Sequence, residues 1–117
     1  MNPFEIRYYR TSDATQPFTD WLGDLRDKQA RARIQARLAR VEVGNLGDFH
    51  SVGDGVMELR IDWGPGYRVY FARMGQVIVL LLCGGDKGTQ QKDIERAKTC
   101  LEDHKARSKK DAPKGRA

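Results

Sequence analysis

The stretch Gly55-Val-Met-Glu-Leu-Arg-Ile-Asp-Trp-Gly-Pro-Gly-Tyr-Arg-Val-Tyr-Phe71, with Gln76-Val-Ile-Val-Leu-Leu-Leu-Cys83 close behind it, decides the fold. In residues 56–62, Met57, Leu59 and Ile61 alternate with Glu58, Arg60 and Asp62; in residues 67–73, Val69 and Phe71 alternate with Arg68 and Tyr70. A period of two sends successive side chains to opposite faces, so each segment predicts a strand with one apolar and one polar face. Within residues 76–83, Val77 to Leu82 is apolar on both faces, which predicts a strand at the centre of the sheet. Trp63-Gly-Pro-Gly66 and Met74-Gly75 supply the fixed and positive φ angles of tight turns. Three strands joined in this way predict an antiparallel meander.

Outward from this centre, Phe4, Ile6 and Tyr8 alternate with Glu5, Arg7 and Tyr9, giving a first strand over residues 4–10. Thr11-Ser-Asp-Ala-Thr-Gln-Pro17 carries turn and capping chemistry, after which Phe18, Trp21, Leu22 and Leu25 recur at helical spacing. Asp27 can cap a second helix reaching about Val43, with Ala30, Ile34, Leu38 and Val41 on one stripe and Gly44-Asn45 as its stop. These two helices read as a hairpin. The Gly- and Asp-rich residues 45–55 read as a connection. Residues 86–91 lead into a final helix in which Ile94, Ala97 and Leu101 share a face. The order β-α-α-β-β-β-α places the chain in the α+β class, an antiparallel meander sheet packed against helices, with a concave face of polar strand positions as the natural site.

The 117 residues suit one domain, and 39% hydrophobic with 32% charged side chains is the balance of a globular protein in water. The N-terminus lacks the basic, apolar, small-residue order of a signal peptide, and the longest apolar run is too short to span a bilayer, so a cytoplasmic protein is expected. Cys83 and Cys100 lack His or Cys partners at metal-ligand spacing and are expected to be free thiols, with no metal or other cofactor. The net charge is +5, and beyond His104 six Lys and Arg side chains outnumber Asp111 by that same five. Residues 1–104 therefore read as a formally neutral domain, and residues 105–117 as a basic, flexible tail that attracts polyanions without defining a site.

The motif Glu58-Leu-Arg60, then Gly66-Tyr-Arg-Val-Tyr70, then Gly84-Gly-Asp-Lys87 resembles, in order and spacing, the "addiction module killer protein" branch of the RelE/ParE/HigB toxins. The resemblance runs from the Phe4 strand to the Ile94 helix. It implies a RelE-like fold and the toxin of a type II toxin–antitoxin system, held in check by an antitoxin, expected to be a helix-turn-helix protein. The best-understood members cleave messenger RNA in the ribosomal A site without a metal; ParE-type relatives instead inhibit DNA gyrase without being enzymes. Ribosome-dependent nucleases closest to RelE carry two lysines on the strand before the Gly-Tyr-Arg strand. Val56 and Glu58 stand at those positions here, so that general base is not carried over.

RNA cleavage by 2′-hydroxyl attack needs a proton acceptor, a proton donor and cations against the charge that builds on phosphorus. Arg60 and Arg68, on polar positions of neighbouring predicted strands, fit the third role, because a guanidinium fork matches phosphate geometry. The alternative for each is an ion pair with Glu58 or Asp62 on the sheet surface. Lys87, at a strand-to-helix junction where backbone amides favour anions, can hold a phosphate or move a proton, or be an exposed turn lysine. Glu58 as a carboxylate base and Tyr70 as a proton donor or stacking ring are secondary candidates. His50 and His104 make no recognisable acid–base pair. Arg26, Arg33, Arg37 and Arg40 give the second helix a basic flank that, with Lys92, could receive ribosomal RNA or, at the helix, an acidic antitoxin segment; a solvated helix face is the alternative.

Overall fold

The computed structural model describes residues 3–110. The chain is α+β: a five-stranded mixed sheet with three α-helices. In chain order these are β1 (Glu5–Tyr8), α1 (Pro17–Asp24), α2 (Lys28–Glu42), β2 (Phe49–Gly53), β3 (Val56–Ile61), β4 (Tyr67–Met74), β5 (Ile78–Asp86), a 3-10 turn (Lys87–Thr89) and α3 (Gln90–Lys110). The spatial order is β1-β5-β4-β3-β2. Strands β2 to β5 form the antiparallel meander, and β1 adds to the outer side of β5 in parallel, Glu5 beside Ile78 and Tyr8 beside Leu81.

Local chemistry explains the helix boundaries. Pro17 opens α1 at a position whose amide has no helical partner to lose. Asp27 caps α2 by accepting from the Gln29 and Ala30 amides at 2.9 and 3.1 Å, and Gly44, at φ 98°, turns the chain away at its end. The apolar strand positions Leu59, Val69, Phe71, Val79 and Leu81 pack under Phe18 of α1 and Ile34 and Val41 of α2. On the opposite face Val56, Tyr70, Ala72, Leu80 and Leu82 pack under Ala97, Cys100 and Leu101 of α3. The sheet is thus covered on both sides, and the alternation read from the sequence sorts residues between two cores.

Four expectations need correction. Residues 45–55 are not a plain connection, because β2 lies within them and pairs with β3. The central strand is β4; β5, though flanked on both sides, is second from the edge. The last strand also begins later and runs on through Gly84 and Gly85 to Asp86. A side chain at Gly84 would collide with the Trp21 ring, and one at Gly85 with the Asp93 carboxylate, so the glycines mark close packing rather than the strand's end. Finally, α3 passes residue 104: Arg107 pairs with Asp103 at 2.8 Å and donates to the Arg10 carbonyl, which carries the helix to Lys110. The rest of the expected tail, 111–117, lies outside the described residues. Among the described residues, no helix is long and apolar enough to cross a membrane.

Candidate functional site

Where β3 and β4 meet the start of α3, five polar side chains gather around Glu58, which is fully buried. Register brings two of them: Glu58 lies opposite His50 on β2 and opposite Tyr70 on β4. Oε1 of Glu58 accepts from Arg60 Nε at 3.1 Å and lies 3.1 Å from His50 Nε2. Oε2 accepts from Tyr70 Oη at 3.0 Å and from Gln90 Nε2 at 2.9 Å, with Arg68 Nη1 at 3.9 Å. Burial alone would raise the pKa of Glu58; the hydrogen bonds from Gln90, Arg60 and Tyr70 and the charge of Arg68 outweigh it and hold the carboxyl below its ordinary value.

This geometry removes Glu58 and Tyr70 from direct chemistry. Both carboxylate oxygens are engaged and closed off from solvent, so Glu58 orients the arginines rather than serving as a substrate base. Tyr70 is wholly buried, and burial together with the adjacent carboxylate pushes its phenol far above the ordinary range. It can neither stack on a base nor give a proton to one. Its hydroxyl braces Glu58.

Arg60, Arg68 and Lys87 do converge. They line one open cavity of about 380 Å³ with Tyr67, Asp48, Asp62 and the Gly64-Pro65-Gly66 turn. Arg60 and Arg68 are cross-strand partners. The Arg60 side chain is 44% exposed and that of Arg68 only 11%. Arg68 Nη1 is buried without a hydrogen-bond partner, an unspent donor of a kind that is rare in folded proteins. Lys87 is exposed, but the backbone around it is not free to bind an anion. Its own amide donates to the Gly66 carbonyl at 2.9 Å and the Gly88 amide to Asp86 Oδ1 at 2.8 Å. These two amides are therefore not available to an anion, and the Lys87 ammonium is.

The α2 flank divides by residue. Arg33, Arg37 and Arg40 line a second cleft of about 210 Å³ that shares Arg60, Ile61 and Asp62 with the first, so the basic surface is continuous from β4 to α2. Arg33 is exposed and rests its guanidinium over the Trp63 ring, 3.8 Å from the centroid. Arg40 is exposed. Arg37 is turned inward, 7% exposed, donating to the Leu46 carbonyl at 2.5 Å. Burial, then the charge of Arg40, lowers its pKa. Its role is to tie α2 to the following loop, not to offer an open contact to RNA. Arg26 and Lys92, both exposed, line neither cleft.

Two members of the cluster were not expected there: His50, which the sequence leaves without a recognisable partner, and Gln90. Asp54-Gly55 is a hairpin turn signal; weighing it above the local composition would have made residues 49–53 a strand and set His50 against Glu58. Cys83 and Cys100 are buried free thiols, and burial raises Cys83 to about 12, which leaves it protonated and unreactive at neutral pH. Among the described residues, no three His, Cys, Asp or Glu side chains gather into a metal-binding group.

Residues 20–102 match the protein family described as "Phage derived protein Gp49-like (DUF891)", a span that includes α2, the meander and the whole Glu58 cluster. A protein of Haemophilus influenzae described as "Uncharacterized protein" is 55% identical over 84 residues, covering 72% of this chain and 85% of its own.

Proposed function

The chain belongs to the phage-derived Gp49-like family, and from that membership and the basic cleft we propose that it is the toxin of a type II toxin–antitoxin pair, a RelE-like, ribosome-dependent endoribonuclease of the HigB-like branch. The observation that carries this reading is the convergence of Arg60, Arg68 and Lys87 on one cavity, with a buried Arg68 donor left without a partner. Attack of a 2′-hydroxyl on the adjacent phosphate gathers negative charge on the non-bridging oxygens. A rigid guanidinium fork answers that charge only if it is held in place, and the Glu58 network holds Arg60 by a hydrogen bond and keeps Arg68 beside it by charge. Arg33 and Arg40 extend the path for the message backbone along α2, and the ribosome presents the message.

The toxin is cytoplasmic and acts until a helix-turn-helix antitoxin covers it. The decisive test is expression from a tight promoter beside an Arg68→Ala copy, with mapping of cellular RNA 5′ ends. Growth arrest with new cuts inside translated messages, lost in the variant, is the expected outcome; uncut messages would exclude the nuclease.

One observation favours a second reading, a ParE-like, non-enzymatic gyrase inhibitor. Val56 and Glu58, which stand where RelE-like nucleases place a lysine pair, are both fully buried, so no cation projects from β3 before Arg60. Under that reading arrest comes with gyrase–DNA adducts and intact messages.

A further inference from the structure

The nuclease reading needs a proton acceptor, and the carboxylate candidate for that role, Glu58, is sealed from solvent. From the placement of His50 we infer that its imidazole is the general base, oriented by Glu58; this rests on the nuclease reading of the same cleft. His50 stands on the edge strand β2, its side chain 40% exposed, with Nε2 3.1 Å from Glu58 Oε1 and 3.3 Å from Arg60 Nη2. Arg60 can only donate, whereas the buried, ionised Glu58 is the strongest acceptor within reach. The favoured neutral tautomer therefore carries its proton on Nε2, directed at Glu58, and leaves the lone pair on Nδ1. This is the logic by which a carboxylate fixes a catalytic histidine. The charged groups around the ring come from the sheet: Glu58 and Arg60 on β3, and Arg68 behind Glu58 on β4. Lys98 of α3 is held to Asp54 at the far end of the β2–β3 hairpin, 3.4 Å away.

In the step assigned, Nδ1 of His50 takes the proton of a ribose 2′-hydroxyl while that oxygen forms a bond to the neighbouring phosphorus. The bond from phosphorus to the 5′-oxygen breaks, and the departing oxygen takes a proton from water. His50 returns its proton to solvent. The products are a 2′,3′-cyclic phosphate and a 5′-hydroxyl, with no oxidant or cofactor consumed. Arg60 contacts the imidazole and also lines the cavity assigned to the phosphate, so it is the link between base and electrophile.

The test compares wild type, His50→Gln and His50→Ala on translating ribosomes programmed with one defined message, following cleavage rate against pH. Gln keeps an N–H for Glu58 but accepts no proton. The expected result is a fall in kcat of about 100-fold or more for His50→Gln, message affinity within about twofold, loss of the acid limb of the rate profile, and partial rescue of His50→Ala by added imidazole. Melting temperatures like that of wild type show that both variants fold. If wild type cuts and His50→Gln cuts at a similar rate with the same acid limb, the assignment of His50 is overturned and the nuclease reading stands. If wild type leaves the message intact, the nuclease reading fails and this assignment with it.

Discussion

Arg60 and Arg68 face each other directly across β3 and β4, two like charges held side by side by the two oxygens of one buried carboxylate. Like charges directly opposite in a sheet repel, and Glu58 turns that conflict into a preorganised pair. Tyr70 and Gln90 complete the arrangement by occupying the oxygen that Arg68 does not reach with a hydrogen bond. Replacing Glu58 should therefore be costly. Glu58→Ala leaves two guanidinium groups uncompensated and Tyr70 and Gln90 without an acceptor, and a loss of about 3–5 kcal/mol is expected, measured as a shift in the urea unfolding midpoint. Glu58→Gln, which keeps the shape, should lose less.

The same carboxyl fixes the direction of acid sensitivity. Its folded pKa lies below the ordinary 4.5, so the unfolded chain binds its proton first as pH falls. The stability that Glu58 contributes is complete above about pH 4.5 and disappears as pH drops through the folded value. Wild type should lose melting temperature in that acid window, and Glu58→Gln should show a flatter curve there. Equal slopes in the two proteins would mean that folding leaves the proton affinity of Glu58 unchanged.

Arg68 and the α2 arginines should separate chemistry from attraction. Arg68→Lys keeps the charge but not the fork, and cleavage should fall about 100-fold or more, with Arg68→Ala no better. Arg33→Ala and Arg40→Ala should weaken RNA binding uniformly across sequences and each lower the salt slope by about one. Arg26→Ala and Lys92→Ala should leave cleavage and affinity unchanged, because neither side chain lines the cleft.

Arg37 is predicted to behave differently from its helix neighbours. Its guanidinium fills the space under the α2–β2 loop, against Gly47, whose positive φ of 62° favours glycine and where a side chain would meet it. Arg37→Ala should cost about 1–3 kcal/mol through the void and the unpaired Leu46 carbonyl, while the folded protein keeps most of its RNA affinity. Paired denaturation and binding titrations would distinguish this from a direct RNA contact.

Three strands of the meander, the starts of α1 and α2 and the sorting of polar from apolar strand positions were legible because they rest on short-range periodicity and capping, which a sequence carries openly. The site was only half legible. Arg60, Arg68 and Lys87 were visible as residues, but what holds them was not. A buried carboxylate with four donors is a long-range fact, made by β2, β4 and the first residue of α3 arriving together. Even so, Asp54-Gly55 contained the signal for β2, and giving it precedence over the glycine content of residues 45–55 would have brought His50 into view. The inward turn of Arg37 had no such signal; it sits one turn from Arg33 and Arg40 and differs only in what the loop places over it.

The end of α3 offers a final separation, of encounter from catalysis. Residues 105–117 carry the entire net charge of +5, while the cleft residues belong to a formally neutral body. A chain ending at His104 loses the Asp103–Arg107 pair and the Arg107 bond to the Arg10 carbonyl, but keeps the Tyr9 hydroxyl on Asp103 at 2.6 Å. An exposed pair of this kind contributes only a few tenths of a kcal/mol, so the shortened protein should melt at most a few degrees lower. Its attraction for RNA should suffer more, and only where charges are unscreened. At low salt its KM should rise severalfold with kcat unchanged; at about 1 M salt, where the screening length shrinks to about 3 Å, the two proteins should converge. A fall in kcat at all salt concentrations would instead place part of the catalytic machinery beyond His104.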